Sequence, residues 1–163
     1  MTPLLPDALG KESIMNLTSV NDAEILQEYV RRFTIKAGDG IKTSRGAADH
    51  FRAFFSDASK REHFVVCFCN GQNCVLKTET MFVGSLTTSA IYVRELIQRI
   101  LELGAASILV AHNHPSGSIT PSSSDRAVTK RIQSAVSTIE VEILDHIIIG
   151  GDEYFSFADA GLL

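Results

Sequence analysis

The stretch ASILVA, residues 106–111, constrains the fold more than any other part of the chain. This apolar run is too short for a helix and lacks the alternation of a strand with one wet face, so it fits a central strand buried on both sides. Such a strand needs neighbours at both edges and a covering layer on each face. The rest of the chain has to supply them.

Upstream, Val93, Leu96, Ile97, Ile100 and Leu101 recur at helical spacing. Thr88 or Ser89 stands where a cap belongs, and Gly104 where a helix-ending glycine does. Downstream, Val128, Ile132, Ala135, Val136 and Ile139 mark a second amphipathic helix. FVVCFC (Phe64 to Cys69) and the run from Cys74 to Phe82 flank Asn70-Gly71 as a hairpin, and VEILDHIIIGGDEYFSF predicts two more strands about a Gly-Gly-Asp turn. Nearer the start, Ile25, Leu26, Tyr29, Val30 and Phe33 form a helical stripe behind Asn21 or Asp22. Ala48, Phe51, Phe54 and Phe55 form another behind Ser44. The order hairpin, helix, strand, helix, hairpin predicts an α/β fold, a mixed β-sheet flanked by helices. Residues 1–43 read as an N-terminal arm with a short helix, and 44–163 as the domain proper.

Charge and cysteine usage narrow the function classes. The net charge of −4 leaves no global basic field, which weakens a nucleic-acid reading. The three cysteines, Cys67, Cys69 and Cys74, are an odd, clustered set unlike a secreted disulfide framework, so a reducing, cytoplasmic setting is expected. With no fourth ligand near them they read as core thiols rather than a metal site. No run approaches the length of a membrane span and no basic leader is present, so neither export nor a membrane is expected.

Directly after the apolar run comes HNHPSGSITPSSSD, residues 112–125. Residues two apart on a strand share a face, so His112 and His114 project together while Asn113 faces away. Pro115 ends the strand, Ser116-Gly117 turns the chain, and a helix is expected to begin with Thr120 as cap and Pro121 at its first position. Ser122 and Asp125 then share the first exposed face of that helix, where its dipole favours an ionised carboxylate. Two nitrogens and one oxygen on rigid supports are a donor set that zinc accepts in catalytic sites that keep a fourth position for water. An isolated H-x-H is weak evidence. The full string, set between a buried strand and a capped helix, is strong.

From about Ser44 to Leu163 the chain resembles the RadC family of bacterial proteins, through SILVAHNHPSG, TPSSSDRAVTKRI, LDHIIIG and YFSFADAGLL. The domain of that family belongs to the JAMM/MPN metallohydrolase superfamily, with a cytidine-deaminase-like sheet architecture. The resemblance implies His112, His114 and Asp125 as zinc ligands and Ser122 as a hydrogen-bonding group beside the water or transition state. It also implies an upstream glutamate as general base, here Glu62 in REHFVV, although Glu79 in KTETMF is a rival on the residues alone. The expected activity is zinc-dependent, peptidase-like hydrolysis of an amide or isopeptide bond in a peptide or protein substrate. Two alternatives stand beside it: a DNA-repair-associated factor or nuclease, and a non-catalytic, metal-stabilised interaction module. The paired-glycine helix-hairpin-helix region of longer family members is missing from this sequence, which takes support from the DNA reading. A zinc deaminase is disfavoured because no P-C-x-x-C follows the histidines.

The remaining polar residues carry weaker signals. His146, in LDHIII, reads as a buried structural histidine or a partner of the metal site. His50 and His63 are expected on the surface or a helix face. Arg126, Lys130 and Arg131, with Arg94 and Arg99, could form a local basic rim.

Overall fold

A computed structural model of the chain describes residues 21–55, 60–85 and 93–163, together with the backbone of two short antiparallel strands, β1 (Leu5–Pro6) and β2 (Glu12–Ser13). Helices α1 (Asp22–Phe33) and α2 (Ser44–Arg52) come next, then strands β3 (His63–Cys69) and β4 (Val75–Val83). Helix α3 (Val93–Leu103), β5 (Ser107–Asn113), α4 (Ser123–Ser137), β6 (Glu142–Gly150) and β7 (Glu153–Ser156) complete the order. The expected caps at Thr88 or Ser89 lie outside the described residues. The α2 helix is capped not by the expected Ser44 but by Thr43, one residue earlier; the Thr43 hydroxyl accepts from the Gly46 N–H. Asn21 caps α1 in a reciprocal box with Glu24.

Strands β3 to β7 form one mixed sheet of order β4-β3-β5-β6-β7, in which β5 and β6 are parallel and the other neighbours antiparallel. All seven residues of β5 are buried, as its composition requires of a central strand. The two-residue alternation sorts the core into two layers. Phe64, Val66, Phe68, Ile108 and Val110 pack with Leu96 and Ile100 of α3 and Ile132 and Val136 of α4. Val65, Cys67, Cys69, Leu109, Ala111 and Ile147 pack with Ala47, Ala48 and Phe51 of α2 on the other face. The same alternation carries His112, two residues beyond Val110, onto the face covered by α4.

His50 is not a surface residue. It lies 1% exposed on the inner side of α2, where its Nδ1 accepts from the Ile35 N–H and its Nε2 meets the Thr78 hydroxyl. A histidine with both ring nitrogens satisfied can be buried without charge, and these partners come from distant parts of the chain. No helix among the described residues is long and apolar enough to cross a membrane.

Candidate metal centre

The centre forms where β5 leaves the sheet and α4 begins. Helix α4 starts later than its Thr-Pro sequence predicts, because Ser122 rather than Thr120 is the cap. The Ser122 hydroxyl accepts from the Asp125 N–H at 3.1 Å, and Asp125 Oδ2 accepts from the Ser122 N–H at 2.7 Å. This reciprocal box satisfies two otherwise unpaired donors, which a Thr120 start would not, and it outweighs the proline signal. As a result Asp125 is not on an exposed face. It is 2% exposed and turned inward, onto the histidines.

One ligand atom each from His112, His114 and Asp125 lies within 4.8 Å of the others. His112 Nε2 is 3.2 Å from Asp125 Oδ1, His114 Nε2 is 3.4 Å from Oδ2, and the two Nε2 atoms are 2.9 Å apart. Both rings are anchored through the opposite nitrogen. His112 Nδ1 meets His146 Nε2 at 2.7 Å, and His114 Nδ1 donates to the Ser118 carbonyl at 2.7 Å. A turn closed by Gly117 N–H to His114 O presents that carbonyl, and Gly117 takes the positive φ of 82° that the turn needs. The turn rests on the end of β6. A Cβ on Gly150 would stand 2.4 Å from the Gly117 oxygen, so only glycine fits there.

Electrostatics agree with the geometry. Burial pushes the Asp125 carboxyl up, but the His112 and His114 imidazoles beside it and the Ser122 N–H outweigh burial and hold the group well below the usual carboxylate range. Burial lowers His112, against the pull of Asp125. His114 is raised, by Asp125 first, then by the Ser118 carbonyl in opposition to burial. An ionised carboxylate and two imidazole nitrogens turned on one point form a cluster that could hold a metal ion. Two imidazoles and one carboxylate fit a zinc ion by ligand type.

Glu62 stands just before β3. The adjacent β3 pairs Phe64 with His112 in the antiparallel register. The Glu62 charge is felt at both imidazoles, where it favours the protonated form. Asn113 faces away from the histidines and has its own task, which its sequence position did not reveal. Its Oδ1 accepts from the His63 N–H at 2.7 Å and its Nδ2 donates to the Arg61 carbonyl at 3.0 Å. Lys60, Arg61, Glu62, Gly84, Ser85 and Pro115 line an open groove of about 400 Å³ beside it. The rival Glu79 is otherwise engaged. Arg99 clamps it through two bonds of 2.7 and 2.8 Å and, with Lys77, holds its carboxyl down to about 2. That pair also takes Arg99 out of any basic rim.

Two other residues of the centre carried no pattern in the sequence. Thr129 lies one helical turn past Asp125, on the same inner face of α4, and is 2% exposed. Asp145 is buried at 5%, accepts from the His146 and Ala158 N–H groups and from the Ser156 hydroxyl, and so fastens β6 to the chain after β7.

Residues 41–162 match the family model described as RadC-like JAB domain. A UPF0758 protein of Vibrio vulnificus (strain YJ016) is 35% identical over 153 residues, covering 94% of this chain and 66% of the relative. The UPF0758 protein YeeS of Escherichia coli (strain K12) is 40% identical over 121 residues, 74% of this chain and 82% of the relative. A UPF0758 protein of Actinobacillus pleuropneumoniae serotype 5b (strain L20) is 45% identical over 103 residues, 63% of this chain and 47% of the relative. The chain thus spans just under two thirds of the length of the Vibrio relative.

Proposed function

The chain belongs to the RadC family, and on that footing we propose that its JAMM/MPN-type domain is a zinc-dependent hydrolase of amide or isopeptide bonds in a peptide or protein substrate. His112, His114 and Asp125 hold the ion, which when bound supplies Lewis-acid polarisation of a carbonyl and lowers the pKa of water. Glu62 is the general base: its carboxylate takes the proton of the attacking water and passes it to the leaving amine. Ser122 already accepts from the Asp125 N–H, so its own hydroxyl proton remains to be donated to the oxygen on which charge develops. The groove beside Glu62 and Pro115 offers an extended substrate a place to lie.

The observation that carries this reading is the donor set, two imidazoles anchored through Nδ1 with both Nε2 atoms turned to one ionised carboxylate. The involvement of Arg99 with Glu79 and Glu102, together with the net charge of −4, leaves the DNA-associated reading less support. The test combines metal analysis of protein purified without chelator with a screen of peptide, isopeptide and nucleotide substrates, using wild type and Glu62→Gln. A single amide-cleaving activity that falls about 10²–10⁴-fold in Glu62→Gln at unchanged zinc content is expected. Protein without bound metal in near-neutral buffer would overturn the ligand set. Zinc-loaded protein inert toward every class would favour the interaction module.

A further inference from the structure

His146 is fully buried, its ring stacked on Phe157 at a centroid distance of 4.8 Å and set edge-on to Phe64 at 6.0 Å. Both its nitrogens have partners. Nε2 is 2.7 Å from His112 Nδ1, and Nδ1 is 2.6 Å from Thr129 Oγ1, which in turn is 2.7 Å from the backbone oxygen of Asp125. These contacts can be followed in one direction only. A carbonyl oxygen accepts and never donates, so the Thr129 proton points to it; turned elsewhere, it would leave oxygen lone pairs face to face at 2.7 Å. The Thr129 oxygen therefore accepts from His146, whose proton sits on Nδ1. Enclosed by aromatic rings with no carboxylate on either nitrogen, His146 is neutral, and its Nε2 has only a lone pair to offer. That lone pair accepts from the Nδ1–H of His112, which leaves His112 Nε2 bare and facing His114 and Asp125.

We infer that Thr129 and His146 are positioning residues that lock His112 into the tautomer offering Nε2 to the metal, so that a hydroxyl one turn along α4 from Asp125 sets the affinity of the site. This deepens the metal-site reading above and rests on it. The same helix supplies one ligand and, four residues on, the group that prepares another. A His146 that merely filled space would need no hydroxyl at position 129, and valine, of nearly the same shape, would serve there as well.

The test uses the full chain as wild type, Thr129→Ser and Thr129→Val, stripped of metal and titrated with zinc against a chromophoric chelator. Histidine ¹⁵N spectra of the metal-free proteins report which nitrogen of each ring carries the proton. The expected result is one zinc per chain in wild type and Thr129→Ser with similar affinity, and zinc binding weakened about 10–100-fold in Thr129→Val. In the spectra, the His112 proton sits on Nδ1 in wild type and redistributes to Nε2 in Thr129→Val, where His146 has lost its acceptor. Thr129→Val binding zinc as tightly as wild type would overturn the inference and leave the metal site intact. A His112 proton on Nε2 in metal-free wild type would overturn it whether or not the valine variant folds. Wild type that takes up no zinc would bring down the metal-site reading and this inference with it.

Discussion

Asn113 holds the chain on both sides of Glu62, accepting from the His63 N–H and donating to the Arg61 carbonyl, so the middle letter of H-N-H fixes the residue proposed as base while its neighbours turn to the candidate metal site. One strand end thus serves both halves of the chemistry. Asn113→Ala is expected to cost about 1–3 kcal/mol of stability, because two backbone groups lose their partner in a partly buried setting. It should also lower hydrolytic activity at unchanged zinc content. Denaturant unfolding, zinc analysis and a rate assay on one preparation check this; activity equal to wild type would mean that Glu62 does not depend on the clamp.

Asp125 closes the capping box of α4 and is the proposed carboxylate ligand, and the two tasks separate by substitution. Asp125→Asn keeps an oxygen for the Ser122 N–H but loses the charge, so it should remain folded by circular dichroism and bind zinc far more weakly. His112→Ala should likewise lose stoichiometric zinc with a native-like spectrum. Retention of a full equivalent of metal by both would show the ligand set to be wrong.

Ser122 divides in the same way. Replacing a serine cap by alanine typically costs about 1 kcal/mol, whereas glycine costs only a few tenths. Ser122→Gly is therefore expected to melt close to wild type yet show reduced turnover, through loss of the hydroxyl donor. By contrast Glu79→Gln, which only loosens the partly exposed Arg99 pair, should change stability by no more than about 1 kcal/mol and leave activity alone.

The metal-free protein should lose stability as pH falls below neutrality. His146 and His112 both have lowered pKa values, burial being the first cause in each. An unfolded chain protonates them near about pH 6.5 while the folded chain resists, so their contribution is complete above that pH and is lost as acid is added. His114, raised by Asp125, has the opposite sign: its contribution is complete below about pH 6.5 and fades as pH rises through its folded value. Two deeply buried rings against one half-buried ring give a net fall. Melting temperatures in chelator-treated buffer should be lower at about pH 5.5 than at about pH 7.5, and the reverse order would refute the assignment.

Gly150→Ala tests the support of His114 from behind. Its methyl group would meet Gly117 backbone at 2.4 Å and Ile119 at 2.9 Å, so the turn that presents the Ser118 carbonyl must shift. Overpacking of this kind costs about 1–3 kcal/mol. A drop in zinc affinity is expected alongside, read by chelator competition, since His114 loses its anchor; unchanged affinity would show that the ring keeps its place without it.

The sheet and its helices were legible because apolar periodicity survives whatever the loops do: ASILVA announces β5, and the stripe from Val93 to Leu101 announces α3. That His112, His114 and Asp125 come together was legible because strand alternation and a nearby helix beginning are local facts. What escaped was long-range or reciprocal. Thr120-Pro121 is a sound start signal that lost to a box visible only once Asp125 is seen to bond back to Ser122. The sequence left His50 between the surface and a helix face because its partners, Ile35 and Thr78, lie 15 and 28 residues away. Glu62 and Glu79 could not be separated on letters alone, since what tells them apart is Arg99, on a helix that packs over the sheet.

The parallel pairing of β5 with β6 has a bearing on how this molecule comes into being. Parallel neighbours cannot be joined by a hairpin, so the chain must close a long crossover through α4 before that ladder rewards it, whereas β3 and β4 zip through a short turn. His112, Asp125 and His146 stand on the three arms of that crossover. In the nascent chain they are strangers, and the hairpin can form without bringing any two of them together. The three side chains can therefore meet only once that crossover has closed, and an ion held there would clasp it shut.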